Sequence, residues 1–264
     1  MASVRAARET ALQTRGAFTL IELLVAMTIA AILVALSSTV VQRMVREASL
    51  VTSGANLRQL AAGAAAYLGE HNNVYWRWRE TVPDPDPNRR GVRWWFGFES
   101  QVSLKMPEGE RTISPEEGPL GGYVPGGKQP DPSFQFSGKP FKPKYKFGYI
   151  GVGYNVLLGG GWGGSSPMRY FELEKPQETV VFATAAQVNT FQRPASASNP
   201  MIEEFYGFDQ NETTIHFRHH GKAMVVYATG NTGFLEIDES TRDLRDPEAN
   251  VGRFAPVGSF KYLR

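Results

Sequence analysis

The sequence predicts an α+β protein in which one long N-terminal helix precedes a domain built on an antiparallel β-sheet. Residues 18–41 are almost entirely apolar, and residues 42–69 continue with helix-forming residues at helical spacing. The glycines, prolines and aromatic residues, by contrast, fall almost entirely after residue 70. This change in composition marks the point where the helix gives way to short strands and turns.

The overall composition excludes several kinds of protein. A chain of 264 residues with 42% hydrophobic content can form one globular core plus an extended element. A formal charge of +2 gives no broad electrostatic case for nucleic-acid binding. Because the chain has no cysteine, it forms no disulfide, thiol catalyst or cysteine zinc site.

The N-terminus combines a short basic leader with an apolar span. Residues 1–17 contain three arginines and one acid, so the positive-inside rule places this end in the cytoplasm and the remaining chain across the membrane. Residues 18–41 supply about the 20 apolar residues that a bilayer core requires. A secretory signal peptide is the alternative, but it would have a shorter apolar stretch followed by a small-residue cleavage site.

Glu22 is the single charge within this span. Insertion of a carboxylate at membrane depth costs about 2.5–3.5 kcal/mol on insertion scales. Glu22 is therefore expected to have a charge partner or a function. If the chain is cut just before Phe18, the new amino group lies four residues from Glu22, and the ammonium of a shifted neighbouring subunit can neutralise that carboxylate. The alternative is that Glu22 lies close enough to the headgroups to stay hydrated.

The segment GAFTLIELLVAMTIAAILVAL, residues 16–36, closely resembles the cleavage and methylation segment of type IV prepilins and type II secretion pseudopilins. The resemblance implies cleavage between Ala17 and Phe18, N-methylation of Phe18, and a role for Glu22, the fifth mature residue, in assembly. Gly16 is the competing cleavage position, and it would make Glu22 the sixth residue. The implied partners are a prepilin peptidase, other pilin or pseudopilin subunits and an inner-membrane assembly platform.

Beyond the span, the sequence predicts an amphipathic continuation of the same helix to about Gly69, roughly 75–80 Å from Phe18 at 1.5 Å per residue. Gly54 and Gly63 mark places where this helix bends or where another helix approaches, unless they are merely tolerated small residues. The apolar residues expected on the covered face are Met44, Val45, Leu50, Val51, Leu57, Leu60, Ala61, Ala64 and Leu68.

The remaining sequence, residues 71–264, is predicted to form the β-rich domain. Turn sequences such as PDPDP separate short β-branched and aromatic runs. Tryptophans 76, 78, 94 and 95 alternate with arginines, a pattern that also occurs on nucleic-acid or glycan surfaces. The favoured interpretation is structural, with large aromatics covering the helix and arginines at the solvent edge.

The second half also resembles prepilin-like proteins of planctomycete and verrucomicrobial bacteria. The matching elements are GVGYNVLLGG at 151–160, KPQETVVFATA at 175–185, and His219 followed after nine residues by Thr229 and Gly230. The family pattern has aspartate where this chain has Thr184 and Thr229. Any cation role carried by those aspartates therefore does not transfer to this chain.

Other candidate sites are weaker. His216, His219 and His220 form the one histidine cluster, but zinc sites want three converging ligands, so solvent-facing strand and turn positions are favoured. The acidic residues between Asp238 and Glu248 are spread out with arginines between them, which favours a solvated loop over a calcium site. The glycine-rich 159–164 segment lacks a phosphate-loop pattern. The sequence therefore predicts no catalytic set, metal site or cofactor.

Together these features predict a pilin-like fold with four parts: a leader at 1–17, a transmembrane segment at 18–42, an amphipathic extension at 43–70 and a globular domain at 71–264. The expected function is structural and not enzymatic. The subunit would enter a pilus or secretion pseudopilus from the inner membrane, with its N-terminus cytoplasmic and its domain periplasmic or extracellular. The alternative is a permanently anchored binding domain, such as a glycan or protein receptor, which has no reason to maintain Glu22.

Overall fold

The computed structural model describes residues 19–124, 131–136, 139–146 and 151–264, except for the side chains of residues 38, 39, 42, 135 and 136. The chain divides into two compact units, Met1–Val45 and Arg46–Arg264, here called the N-terminal unit and the C-terminal unit. Each unit is described separately below.

Helix α1 runs from Leu20 to Glu70, close to the predicted span of residues 18–69. Asn72 and Asn73, with φ angles of 54° and 58°, adopt the left-handed conformation just after its end. The Asn73 N–H donates to the Leu68 carbonyl at 2.9 Å. Asparagine tolerates this conformation better than most residues, so the pair terminates the helix.

The start of α1 meets the length and composition requirement for crossing a bilayer over Leu20–Ser37. None of this window is buried within the protein. Large apolar side chains remain exposed as far as Val45, the last residue of the N-terminal unit. An apolar surface of this size requires lipid or other helices to cover it.

Among the described residues, the C-terminal unit holds the strands, one further short α-helix and several 3₁₀ turns. In chain order, the elements after α1 are β1 Arg79–Val82, β2 Gly91–Trp94, β3 Gly97–Ser100, α2 Gln101–Leu104, β4 Phe141–Lys142, β5 Val152–Asn155, β6 Val180–Thr184, β7 Gln187–Asn189, β8 Met201–Glu203, β9 Gly207–Phe208, β10 Ile215–His216, β11 Lys222–Tyr227, β12 Thr232–Glu236 and β13 Val251–Gly252.

These strands form several small sheets, so the α+β class is confirmed. The largest has the order β12-β11-β6-β5-β9, beside the sheets β1-β2-β3, β4-β8-β7 and β10-β13. Most pairs are antiparallel, but β5 pairs with β9, and β4 with β8, in parallel. These parallel pairs were not predicted from the sequence, because long connections bring their strands together.

The core of the C-terminal unit lies between the second half of α1 and the largest sheet. Leu57 is 1% exposed, and the same helix face buries further apolar residues one turn apart. This helix face packs in one cluster with the rings of Trp76, Trp95, Tyr154 and Phe182. The helix residues in the cluster are Leu57, Ala61, Ala64 and Leu68, with Leu50 and Leu60 at its edge.

Three of the predicted covered positions are wrong, since Met44, Val45 and Val51 are exposed. Val51 follows Leu50 by one residue and therefore lies about 100° away around the helix from the covered stripe. On the N-terminal side of Leu57, the stripe passes instead through Ser49 and Ser53, which are both buried. Hydroxyl groups on a packed helix face need hydrogen-bond partners. The burial of Ser49 and Ser53 was not predicted from the sequence.

The domain approaches α1 tightly at Gly63 and only at ordinary contact distance at Gly54. A Cβ atom on Gly63 would lie 2.7 Å from Val124 Cγ2, and one on Gly54 would lie 3.6 Å from Met224 Sδ. Gly63 is therefore required for packing, whereas Gly54 has room for a methyl group.

The structural interpretation of the tryptophans is supported by their burial. Trp76 and Trp95 are almost completely buried, and Trp78 and Trp94 are half-buried. Arg77 and the other arginines at 79, 89 and 90 are exposed.

Candidate functional site

The first turn of α1 carries Glu22 in a capping box. The backbone N–H and the hydroxyl of Thr19 both donate to Glu22 Oε2 at 2.9 Å, and the Glu22 N–H donates to Thr19 Oγ1 at 3.2 Å. These reciprocal bonds satisfy backbone donors that would otherwise be unpaired at the helix start. Its signature in the sequence is the Thr-x-x-Glu spacing of Thr19 and Glu22.

Glu22 is otherwise surrounded by exposed apolar side chains. Leu20 and Ile21 are 81% and 71% exposed, and Leu23 and Leu24 are more than half exposed. Among the described residues, Oε1 of Glu22 accepts no hydrogen bond and no basic group pairs with the carboxylate. This carboxylate can therefore accept an ammonium from another molecule while it still caps its own helix.

The other predicted site residues, Gly16, Ala17 and Phe18, lie outside the described residues. Cleavage and N-methylation at these positions remain predictions.

The histidine cluster lies at a tight turn between β10 and β11. The His219 N–H donates to the Lys222 carbonyl at 3.0 Å, and the reverse bond closes the turn. His220 and Gly221 occupy its centre with φ angles of 53° and 78°. Two left-handed central residues are typical of a type I′ hairpin turn, in which glycine is favoured.

The predicted solvent exposure of these histidines is wrong for two of them. His216 is 1% exposed and His219 is 4% exposed, whereas His220 faces solvent. Burial and the nearby Arg218 guanidinium hold the pKa of His216 well below its usual value and lower the pKa of His219 to about 4. Both rings are therefore neutral near pH 7. Within the described ranges, no three His, Asp or Glu side chains are placed to hold a metal ion.

A buried ion pair lies next to this turn. Arg218 pairs with Asp131, and it also donates to Ser133 Oγ at 2.9 Å and to the Gly151 carbonyl at 2.7 Å. Ser53 of α1 donates to the same aspartate, which ties the helix to the domain. Burial alone would raise the pKa of Asp131, but the guanidinium and the two hydroxyls outweigh it and hold the pKa below its usual value.

A second buried charge cluster centres on Glu203 of β8. Lys142 and Lys144 lie 3.3 and 3.5 Å from its carboxylate, and Lys142 also contacts Glu108. Asn189 and Gln187 donate further hydrogen bonds to Glu203. Burial would raise the pKa of Glu203, but the lysines and amides outweigh it and lower the pKa. A carboxylate with this many donors is a satisfied structural group.

The acidic segment from residue 238 to 248 is only in part the solvated loop that its sequence indicated, since Glu239 and Glu248 are exposed but two of its aspartates are buried. Asp243 is buried and accepts a bidentate pair from Arg245, with a shortest N–O distance of 2.6 Å. Asp246 is also buried and pairs with Lys139 at 2.8 Å. Arginine and lysine thus neutralise the carboxylates that a calcium ion would need.

Thr184, His219 and Thr229, the positions noted in the resemblance of the second half of the chain, lie at or near strand ends. Thr184 ends β6, and its hydroxyl donates to the His216 carbonyl at 2.9 Å while it accepts from the Met224 N–H at 3.2 Å. His219 precedes β11, and Thr229 follows it. Thr184 therefore links neighbouring strands as a neutral group where the pattern has aspartate.

Comparison with known proteins bears on the N-terminus alone. The prokaryotic N-terminal methylation motif matches residues 13–38, which include Glu22 and all three predicted processing positions. No curated protein and no solved structure matches this chain. The motif, together with an apolar helix long enough to span a bilayer, supports a prepilin-type protein anchored in the membrane by a single N-terminal helix.

Proposed function

We propose that this chain is a structural subunit of a type IV pilus-like or type II secretion filament. A prepilin peptidase cleaves it between Ala17 and Phe18, with Gly16 as the alternative position, and the new Phe18 amine is methylated. The mature chain is held in the inner membrane, with its N-terminus cytoplasmic and its domain on the other side. An assembly platform then moves it into a filament with other pilin or pseudopilin subunits.

The observation that carries this proposal is the exposed apolar start of α1 within the methylation motif. Its side chains are covered by lipid before assembly and by neighbouring α1 helices afterwards. Subunits related by head-to-tail contacts build an open helical filament, because such contacts do not close on themselves.

Glu22 supplies a reason for ordered assembly. A membrane-embedded carboxylate is costly, and its pairing with the Phe18 ammonium of a neighbour neutralises two charges at once. The capping box leaves Oε1 of Glu22 without a partner among the described residues, which is consistent with this role.

The test is intact-mass and N-terminal peptide mass spectrometry of the protein from its native membrane. We expect a mature chain that begins at Phe18 and carries one added methyl group. A peptide that begins at Ala17 would move the cleavage to Gly16. The control is the same strain without its prepilin peptidase, where residues 1–17 should be retained. Retention of residues 1–17 in the presence of an active peptidase would contradict the proposal and favour a permanently anchored binding domain.

A further inference from the structure

A cavity of about 250 Å³ lies within the C-terminal unit. The first residues of α1 that belong to this unit form one side of it, and the turn between β10 and β11 forms another. Four basic side chains and no acidic one line it among the described residues. Its polar lining residues are Arg46, Ser49, Ser133, Arg218, His219, His220 and Asn250.

The basic groups that line this cavity differ in how they are compensated. Asp131 neutralises Arg218, and the exposed Glu47 lies 3.4 Å from His220 outside the lining. Arg46, by contrast, is exposed and pairs with no carboxylate among the described residues. Its guanidinium can therefore bind an added anion without first losing a partner.

His219 adds a second donor. Its Nε2 atom is buried and has no hydrogen-bond partner among the described residues. Leaving such an atom unpaired costs about 1–3 kcal/mol, so a bound acceptor would stabilise the site. Because the pKa of this histidine is lowered to about 4, the ring is neutral near pH 7 and carries one N–H.

We propose that this cavity binds a phosphate group, and that its source is the headgroup of a membrane phospholipid. Arginine forks match phosphate geometry, and a neutral histidine donor fits a phosphate oxygen. Arg46 follows the apolar window Leu20–Ser37 by nine residues and Val41 by five. Basic side chains at this distance from a hydrophobic span lie at the level of the headgroups.

Lipid binding at this site is a role separate from filament assembly. It rests on the proposed function only in that the subunit is first anchored in the membrane. A headgroup bound here fixes the depth of the waiting subunit in the outer leaflet. Extraction into a filament would then require release of this lipid.

The experiment uses the full chain in a neutral detergent and measures the affinity for dihexanoyl phosphatidylglycerol by native mass spectrometry. Inorganic phosphate and a phosphate-free glucosyl diacylglycerol of equal chain length serve as separate probes. We compare wild type with Arg46→Gln and His219→Phe. Arg58→Gln is the matched control, since it removes the same charge from an exposed position farther along α1.

We expect phosphatidylglycerol to bind wild type and Arg58→Gln alike, and Arg46→Gln to bind about tenfold more weakly, because one charge-assisted hydrogen bond is lost. His219→Phe should weaken binding in the same direction with an unchanged circular-dichroism spectrum. Equal binding by all variants, or equal binding of the phosphate-free lipid, would overturn the proposal. Inorganic phosphate that binds as tightly as the lipid would refute the lipid source. Processing at Phe18 is scored in the same spectra, so failure of the filament proposal is seen independently.

Discussion

Glu22→Gln separates the two roles that the structure allows for this side chain. Glutamine can make the same capping-box bonds to Thr19 that the carboxylate makes. It carries no charge, however, and so it cannot pair with an ammonium. If the carboxylate's membrane cost of about 2.5–3.5 kcal/mol is relieved on assembly, the variant loses up to that amount of driving force per subunit. This corresponds to roughly two orders of magnitude in the assembly equilibrium.

The assay is the yield of sheared filaments relative to the subunit that remains in the membrane fraction. Glu22→Gln should accumulate in the membrane with few filaments, although its processing continues. Thr19→Val is the matched control, because it removes the capping hydroxyl at a cost of about 1 kcal/mol and keeps the charge. We expect it to form filaments. Normal filaments from Glu22→Gln would refute the charge argument, and their loss only in Thr19→Val would assign the pair to helix capping.

Three further predictions concern the C-terminal unit. Arg218→Met should lower the free energy of unfolding by about 3–5 kcal/mol, because it leaves Asp131 buried without its partner; a double variant with Asp131→Asn should recover part of this loss in chemical denaturation. Stability should fall as pH drops from 6.5 towards 4, by up to about 1.4 kcal/mol per pH unit from His219, since its folded pKa lies below the unfolded value and the unfolded chain binds the extra proton. His219→Gln should flatten this slope, and an unchanged slope would contradict the assignment. Gly91→Ala should destabilise by about 1–3 kcal/mol, since its Cβ would lie 2.0 Å from the Glu99 carbonyl oxygen, whereas Gly69→Ala, with open space around it, should not lower the melting temperature.

Sequence reasoning succeeded where the signal is local. Helix α1 was placed to within two residues, because helical periodicity depends on residues only a few positions apart. The α+β class followed from the change in composition near residue 70. The covered face of the helix was placed correctly at Leu57 but wrongly at Val51, since which of two adjacent apolar stripes is covered depends on where the domain docks.

Which polar groups are buried could not be predicted from the sequence. Ser53 and Asp131 are 78 positions apart, and Asp131 meets Arg218 across a further 87. His216 looked like a polar strand residue, yet it is buried beside this pair. Nothing in the local sequence distinguishes a charged residue that faces water from one that is neutralised by a distant partner.

The sequence by itself determined an apolar helix long enough to cross a membrane, its single carboxylate and the methylation motif around them, because these are properties of contiguous residues and of the solvent they require. Tertiary structure alone decided which polar side chains are buried, how the parallel strand pairs join the sheets, and that Arg46 and His219 line one cavity. Those features depend on contacts between distant segments, which form only when the core has packed.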